Sequence, residues 1–351
     1  MTALLSVVTP GLLVTVQDRG RHGYQELGVP VAGALDPIGL SLANALVGNP
    51  QGAGCLEICY LGPTLKVEAS SVRLAVVGDV QIVLKGDRTR GLRLAANRTH
   101  RLERGDIIAV GSVDDGAVAY LAVAGGFDLA PVLGSLATYV RGRLGPLGGL
   151  PLRAGTSLPL VLDEAPVQPE RALPRMPDYG QGPIRVVLGP QDDHFTEESI
   201  ATFLSSPYRV TKEADRMGMR LDGPALQHKG RADITSDATV TGCIQVPGNG
   251  QPIILLVDHQ TTGGYAKIAT VISADLPRVG RMLPDDPLYF RAVTVAEAEA
   301  ARRDLAARVE ASIRAIDSIA AAEQTRLTDR LWSTNLVSGA VDAFNADTTL
   351  A

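Results

Sequence analysis

Aromatic side chains are scarce in this chain of 351 residues: Phe, Trp and Tyr together make up 4%, with a single Trp. This scarcity disfavours a single-stranded nucleic-acid platform, which needs aromatic rings to stack on bases. The formal net charge of −5 provides no overall positive field for nucleic acid or an anionic membrane. We therefore expect a protein that binds neither nucleic acid nor membrane.

Cysteine is also rare, and the chain has only Cys55, Cys59 and Cys243. Neither their spacing nor that of the five histidines matches a metal motif, so we expect no metal site. Three scattered thiols are typical of a reducing compartment. The first residues lack a secretory signal, and no apolar run reaches the roughly 18–20 residues that span a bilayer. These features predict a soluble cytoplasmic protein.

Several motifs that carry nucleotide, metal or acyl chemistry are missing. Gly is never followed by Lys, which excludes the P-loop of many ATPases, and no G-x-G-x-x-G, H-E-x-x-H or G-x-S-x-G pattern occurs. None of the five lysines lies beside Met, so the Met-Lys-Met sequence that carries biotin is absent. Biotin, if the protein uses it, must therefore arrive on another chain or domain.

Turn residues, in contrast, are abundant, with 37 Gly and 22 Pro. They separate short apolar runs, which is typical of a β-rich protein. The length favours about two domains. The five prolines of 163–183 mark a linker between a first lobe at 1–165 and a second lobe at 183–293. Strands are predicted at LLSVV, LLVTVQ, 72–78, 80–86, 106–112, 117–127, 184–190, 253–258 and 266–272.

Three helices have clear end signals. Asp36, Pro37 and Gly48 fit the N-cap, first position and C-cap of a short helix. A second helix should follow Thr196. The clearest pattern spans 295–323, opens with the capping box of Thr294 and Glu297, and defines a C-terminal helical segment at 294–325. It fits a surface helix packed on the β lobes, or a helix that binds a partner. Residues 326–351 form a predicted tail.

The first polar segment, 15–36, places Gln17, Asp18 and Arg21 among glycines. Glycine lets the backbone approach a ligand closely, and an Asp near an Arg forms an oriented charged pair. The residues alone favour a solvated loop with a structural ion pair, and a binding loop is the alternative.

The second polar segment, 213–224, places Asp215, Arg216 and Met217 together. A charged pair beside flexible thioethers suits a pocket wall, and it also suits a turn between strands.

The third polar segment lies in 242–272, where two apolar strands flank Asp-His-Gln-Thr-Thr-Gly-Gly-Tyr at 258–265. Polar groups directly after a buried strand are typical of the rim of a binding site. Asp258 can orient a group or accept a proton, Gln260 can donate and accept hydrogen bonds, and Tyr265 can stack or act as an acid. The alternative is an ordered loop whose side chains satisfy its own backbone.

These segments also carry a resemblance that covers residues 8 to 293. TPGLLVTVQDRGRHGYQELGVPVAGALD, ANALVGNP, LEICYLGP, DRMGMRLDG and IQVPGNGQPIILLVDHQTTGGY resemble, in order, the allophanate hydrolase subunit 2 family. This family is also called the biotin-dependent carboxyltransferase family and includes the C-type subunits of 5-oxoprolinase. The resemblance implies a mainly β fold of two cyclophilin-like β-barrel lobes with a C-terminal α-helix.

The resemblance further implies partners and chemistry. It implies a B-like partner (of the allophanate hydrolase subunit 1 type), together with either an A-type subunit or a biotin carboxylase. The chain would then belong to an ATP-dependent 5-oxoprolinase or to a carboxyltransferase that acts on a small amide or urea-like substrate. No cofactor is expected to be bound covalently; carboxybiotin would be supplied in trans, or ATP would bind a partner subunit.

The site residues that the resemblance implies match the family motifs one by one. Asp258, Gln260, Asp215 and Arg216 would bind and polarise the substrate amide. The implied substrate-binding residues are Gln17, Asp18, Arg21, Met217, Gln245, Thr261, Thr262, Gly263, Gly264 and Tyr265. The chain departs from the common pattern at Leu136 and Ala137, where relatives often have Arg and Ser, and at Ala214 and Asp285. These departures put the substrate in doubt more than the fold.

Two other functions fit the same residues. The chain contains no self-sufficient catalytic set, so a non-catalytic regulatory module that antagonises an inhibitor of a kinase remains an alternative. A β-barrel protein with a different small ligand is the third.

Overall fold

The computed structural model describes residues 3–85 and 91–318. The last part of the predicted helical segment, 319–325, and the predicted tail, 326–351, lie outside the described residues. The described chain is mainly β, with two curled sheets and a C-terminal helix, as the sequence predicts.

The first lobe is one nine-stranded sheet, mainly antiparallel, with strand order β2-β3-β8-β4-β1-β9 and with β5 joining β6, β7 and β8. Its strands are β1 (Leu4–Thr9), β2 (Leu13–Gln17), β3 (Cys55–Cys59), β4 (Thr64–Val67), β5 (Ser71–Lys85), β6 (Leu92–Leu94), β7 (Thr99–Glu103), β8 (Ile107–Val123) and β9 (Ser157–Pro159).

The long strands β5 and β8 correct the prediction of four short ones. The run 72–78 and the described part of the run 80–86 form the single strand β5, which ends at Lys85 and pairs with β8 across three irregularities in register. Gly78 adopts a φ of 137°, which lets the strand bend without losing its partner. The turn signals therefore mark bends inside long strands, and not strand ends.

A short strand, β10 (Arg171–Ala172), lies in the predicted linker. This segment packs against the first lobe: the buried Arg73 donates from Nη1 to Glu170 at 2.5 Å and from Nη2 to the carbonyl of Gln168 at 2.7 Å. The proline-rich segment is therefore an ordered strap and not a free spacer.

The second lobe contains an eight-stranded sheet in the order β19-β12-β13-β16-β15-β18-β11-β20, and β14 and β17 form a separate two-stranded ribbon. Its strands are β11 (Ile184–Leu188), β12 (Tyr208–Ala214), β13 (Gly218–Asp222), β14 (Asp233–Ala238), β15 (Cys243–Gln245), β16 (Ile253–Leu255), β17 (Thr262–Tyr265), β18 (Lys267–Val271), β19 (Pro287–Leu288) and β20 (Phe290–Ala292). A last strand, β21 (Asp317–Ser318), pairs with β10.

Four α-helices complete the described chain: α1 (Pro37–Val47), α2 (Glu197–Ser205), α3 (Leu276–Val279) and α4 (Val295–Arg314). The caps predicted for α1 and α4 are confirmed, and α2 follows Thr196 as predicted. Asp36 accepts from the amides of Ile38 and Gly39, and the capping box of Thr294 and Glu297 is complete. Helix α4 ends at Arg314, before the predicted end at 323.

Three hydrophobic clusters organise the packing. One fills the first sheet and one fills the second. The third lies between them and joins α1, the outer face of the first sheet and α4, through Leu42, Val77, Ala301 and Leu305. Helix α4 is thus a surface helix packed on the lobes, which was the simpler of its two interpretations.

Candidate functional site

The first polar segment anchors a loop of its own lobe. Asp18 accepts from the hydroxyl of Ser135 at 2.7 Å and from the amide of Leu136 at 2.7 Å. The buried Gln17 donates from Nε2 to the carbonyl of Thr138 at 3.0 Å. These bonds hold the loop at 132–138 against the end of β2.

Arg21 reaches the same loop from the other side. Its side chain is buried, and it donates from Nε to the carbonyl of Val132 at 3.0 Å and from Nη2 to that of Ala137 at 2.7 Å. Burial lowers the pKa of Arg21, while the charges of Asp18 and Asp258 act in the opposite direction. Among the described residues, Nη1 of Arg21 and Oε1 of Gln17 are buried without a hydrogen-bond partner. Two polar atoms are therefore left for a ligand or water at this point.

The second polar segment separates into two parts. Asp215 closes the turn between β12 and β13 by accepting from the amides of Met217 at 2.7 Å and Gly218 at 3.2 Å, and its exposed carboxylate also pairs with Arg141 at 3.2 Å. The next side chain, Arg216, points the other way and is buried at the junction of the two lobes.

Arg216 forms the centre of a buried ion cluster that joins the lobes. Its Nε and Nη2 donate to the two carboxylate oxygens of Asp258, each at 2.9 Å, and Nη1 bonds to Glu57 on β3 of the first lobe. Its Nη2 also donates to the carbonyl of Gly33 at 2.7 Å. All three side chains are almost inaccessible to solvent. Burial alone lowers the pKa of Arg216, but Glu57 and Asp258 outweigh it and raise the pKa, so the guanidinium stays charged.

A chain of hydrogen bonds continues from this cluster into the first lobe. Tyr120 donates to Glu57 at 2.7 Å and accepts from the backbone amide of Asp36 at 2.8 Å. The carboxylate of Asp36 accepts from Tyr179 at 2.7 Å and pairs with Arg281 at 3.3 Å. Burial raises the pKa of Asp36, against the lowering effect of Arg281. Tyr179 and Arg281 line a cavity of about 880 Å³ between the strap and the lobes.

The third polar segment begins at the ion cluster and ends at the surface. The amide of Asp258 donates to the carbonyl of Arg216 at 2.9 Å, which fixes the loop after β16. The buried His259 follows, with Nδ1 at 3.1 Å from the hydroxyl of Thr239. Gln260 is exposed and donates to Oε1 of the buried Gln245 at 3.2 Å. Nε2 of Gln245 has no partner among the described residues.

The glycines of this segment leave room for Gln245. A Cβ on Gly263 would lie 2.4 Å from Nε2 of Gln245. Thr262, Gly263, Gly264 and Tyr265 form β17, and the Tyr265 side chain is exposed. Thr261 lies half-buried directly before the strand. The segment therefore presents a polar edge at which the side chains of Gln260 and Tyr265 are exposed to solvent.

The structure brings part of the predicted site together. The backbone amide of Ala32 donates to the carbonyl of Val257 at 3.0 Å, which joins the first and third segments across the lobes. Arg216 and Asp258 contact each other directly. Asp215 and Met217 lie at the hairpin turn, and Gln17, Asp18 and Arg21 bind their own loop.

Sequence reasoning missed Glu57, Tyr120, Tyr179 and Arg281. Glu57 had a visible signal, because it is the one charged residue in the fully buried strand β3. Its partner Arg216 is far away in sequence, so no pattern in the sequence indicated the ion pair between them.

No group of three or more metal-ligating side chains occurs within residues 3–85 and 91–318. In the same residues, no helix has both the length and the hydropathy needed to cross a bilayer.

The fold and the site together describe a protein of two curled β lobes joined by a buried Arg–carboxylate cluster, with polar loops at the junction. Residues 27–292 match the family described as "Carboxyltransferase domain, subdomain A and B". The chain belongs to this carboxyltransferase domain family.

Relatives and solved structures agree with this membership. The chain is 33% identical to the C-type subunit of 5-oxoprolinase from Escherichia coli (strain K12), over 86% of this chain and 95% of that protein. It is 32% identical to urea amidolyase of Lachancea kluyveri, over 81% of this chain but only 16% of that protein. The crystal structure of Kluyveromyces lactis urea carboxylase superposes with a TM-score of 0.81 at 29% identity, covering 89% of this chain and 29% of that one.

Proposed function

We propose that the chain is the C-type subunit of an ATP-dependent 5-oxoprolinase, acting on a small cyclic amide together with a B-like partner. The observation that carries this proposal is coverage: the chain matches 95% of the length of the Escherichia coli 5-oxoprolinase polypeptide, but 16% of the fused urea amidolyase. The similarity to the Escherichia coli subunit extends over nearly its whole length, which supports the same role for this chain.

The substrate site of this proposal lies at the polar edge beside the lobe junction. Gln260, Thr261, Thr262 and Tyr265 are the groups that offer donors and acceptors to an amide there. Gln245 lies behind them and supports this edge by accepting from Gln260 at 3.2 Å.

Asp258 and Arg216 act in this proposal by positioning that edge. Both carboxylate oxygens of Asp258 accept from Arg216, so this pair holds the start of the loop in place. A guanidinium bound on three sides gives the loop a rigid base from both lobes, and such preorganisation is how a site keeps its geometry.

Co-reactants belong to the partners in this scheme. ATP supplies the phosphoryl group that activates the amide carbonyl, and a separate A-type partner holds it, in keeping with the missing P-loop. In a biotin-dependent carboxyl transfer, the second chemistry open to the family, carboxybiotin on another chain would supply the carboxyl group. The three cysteines are free and buried, which agrees with work in the reducing cytoplasm.

Reconstitution tests the proposal. The chain would be combined with its A-type and B-like partners, and ATP-dependent release of glutamate from 5-oxoproline would be measured. We expect Gln260→Ala to reduce kcat/KM by about tenfold or more, because one substrate hydrogen bond is lost. The exposed Gln51→Ala in the first lobe is the matched control and should leave turnover unchanged.

The results that would count against the proposal are equally concrete. Unchanged turnover in Gln260→Ala and in Asp258→Ala would remove the assigned edge from the reaction. No turnover by the wild-type complex, with carboxylation of an amide in the presence of carboxybiotin, would assign the chain to carboxyl transfer.

A second candidate is a non-catalytic module that binds and antagonises an inhibitor of a kinase. One observation favours it: Asp258 and Arg216 bind each other, and neither side chain is free for acid–base work in the described part of the chain. Stable association with a partner protein and no turnover in any reconstituted complex would support this function over the first.

A further inference from the structure

A cluster of four arginines lies in a cavity of about 290 Å³, beside the larger cavity that Tyr179 and Arg281 line. The cavity is bounded by the strap at Gly180 and Gln181 and by side chains of the second lobe and α4. Four arginines line it, one each from β11, α3, β20 and α4: Arg185, Arg278, Arg291 and Arg308.

Only one carboxylate, Asp275, lines this cavity among the described residues. It is buried and engaged by a single arginine: Arg185 donates to it from Nη2 at 2.5 Å, from Nε at 3.1 Å and from its backbone amide at 2.8 Å. Three further acids lie near the rim, and one of them, Asp178, accepts from the amide of Gly180 at 2.8 Å. Asp304 interacts electrostatically with Arg185, and Glu297 with Arg291, but Glu297 is occupied by its capping box. The lining therefore carries a surplus of positive charge.

The remaining arginines keep most of their donors free. Arg278 gives Nη2 to the carbonyl of Gly182 at 2.6 Å, and Arg308 gives Nη1 to the carbonyl of Asp178 at 2.6 Å. The side chain of Arg291 makes no hydrogen bond or salt bridge within the described residues. A guanidinium carries five N–H donors, so each of these three has several left for another partner.

We propose that this cavity binds a small oxyanion of the phosphate class. Like charges held together repel, and a bound anion between the lining arginines would reduce this repulsion. Planar guanidinium groups match the oxygens of phosphate with paired hydrogen bonds. The volume lies at the lower end of the range for small-molecule sites, which suits a small ligand and not a large one.

The site has a structural consequence for the chain. Its four arginines come from separate elements, and two of them already hold the strap through its carbonyls. A bound anion would therefore tie the strap, the second sheet and α4 together. This inference does not depend on the reaction proposed above.

Titration calorimetry with inorganic phosphate tests the proposal, using the full chain in a chloride buffer of constant ionic strength. We expect saturable binding at one site, and about tenfold weaker binding for Arg291→Ala and Arg308→Ala, which each lose a charge-assisted contact. Arg302→Ala, on the exposed face of α4, is the matched control and should bind as the wild type does.

Arg291→Ala keeps the test valid if another variant fails to fold, because its side chain holds nothing in place. Saturable phosphate binding should also raise the unfolding temperature in proportion to its occupancy. No saturable heat, equal binding by all variants, or the same stabilisation by added chloride would overturn the proposal. Tighter binding of glutamate than of phosphate would overturn the assignment to a phosphate group.

Discussion

The buried ion cluster around Arg216 and the cavity lined by four arginines differ in charge balance and in access to solvent. At the lobe junction, one buried guanidinium lies between Glu57 and Asp258, and its donors are used. In the smaller cavity, four guanidinium groups face one lining carboxylate, which only Arg185 binds among the described residues, and the other three keep free donors. A buried arginine whose donor nitrogens are all used therefore holds two parts of the fold together, whereas arginines with free donors can bind a ligand.

Removing Arg216 from the buried ion cluster should cause the largest loss of stability. Arg216→Met would leave Glu57 and Asp258 buried without their cation, which costs about 3–5 kcal/mol of unfolding free energy. Urea denaturation measures this loss. Arg220→Met is the matched control, since its exposed pair with Glu213 at 3.1 Å is worth about 1 kcal/mol or less. Equal losses in the two variants would show that the buried ion cluster contributes no more to stability than an exposed ion pair.

A smaller loss of stability should follow from replacing Asp275, the carboxylate in the cavity lined by four arginines. Asp275→Asn would weaken the charged hydrogen bonds to Arg185 and destabilise the protein by about 2 kcal/mol. The same change adds net positive charge to the cavity, so phosphate should bind more tightly than to the wild type. Calorimetry and urea denaturation of one preparation measure both quantities. Weaker phosphate binding in this variant would contradict the charge argument.

The smallest expected effect concerns the pH dependence of stability, through His259 beside the buried ion cluster. Burial lowers the pKa of His259 in the folded protein, although Asp258 and the carbonyl of Gln260 act in the opposite direction. The unfolded chain therefore binds the proton first as the pH falls, and stability is lost below the ordinary histidine pKa of about 6.5.

Replacing His259 should reduce, but not abolish, the loss of stability as the pH falls. Burial also lowers the pKa of His100, so that contribution remains in His259→Asn. Urea midpoints measured from about pH 8 to about pH 5 give the two slopes. Identical slopes for wild type and variant would show that His259 does not titrate as its burial implies.

Local signals in the sequence predicted much of the fold. The cap at Asp36, the first-turn Pro37 and the capping box at Thr294 each act within a few residues, so they are readable without tertiary contacts. The strand breaks at Gly78 and near Gly116 were wrong, because a glycine that permits a bend looks the same in sequence as one that ends a strand.

The candidate site was less predictable for a physical reason. Asp258 and Arg216 were singled out by their motifs, but their relation to Glu57 depends on the packing of one lobe against the other. No sequence pattern indicated the cavity lined by four arginines, because these residues are scattered singly along the chain: Arg185, Arg278, Arg291 and Arg308. Only the fold brings them to one cavity.

The contact between Arg216 and Glu57 has a consequence for cooperativity. Separating the lobes would expose part of the hydrophobic cluster around Leu42 and leave Glu57 without its cation, so we expect each lobe to lose stability without the other. The two sheets should melt in a single transition. A gene cut at the strap would yield two insoluble halves, which rejoin only when they are produced together.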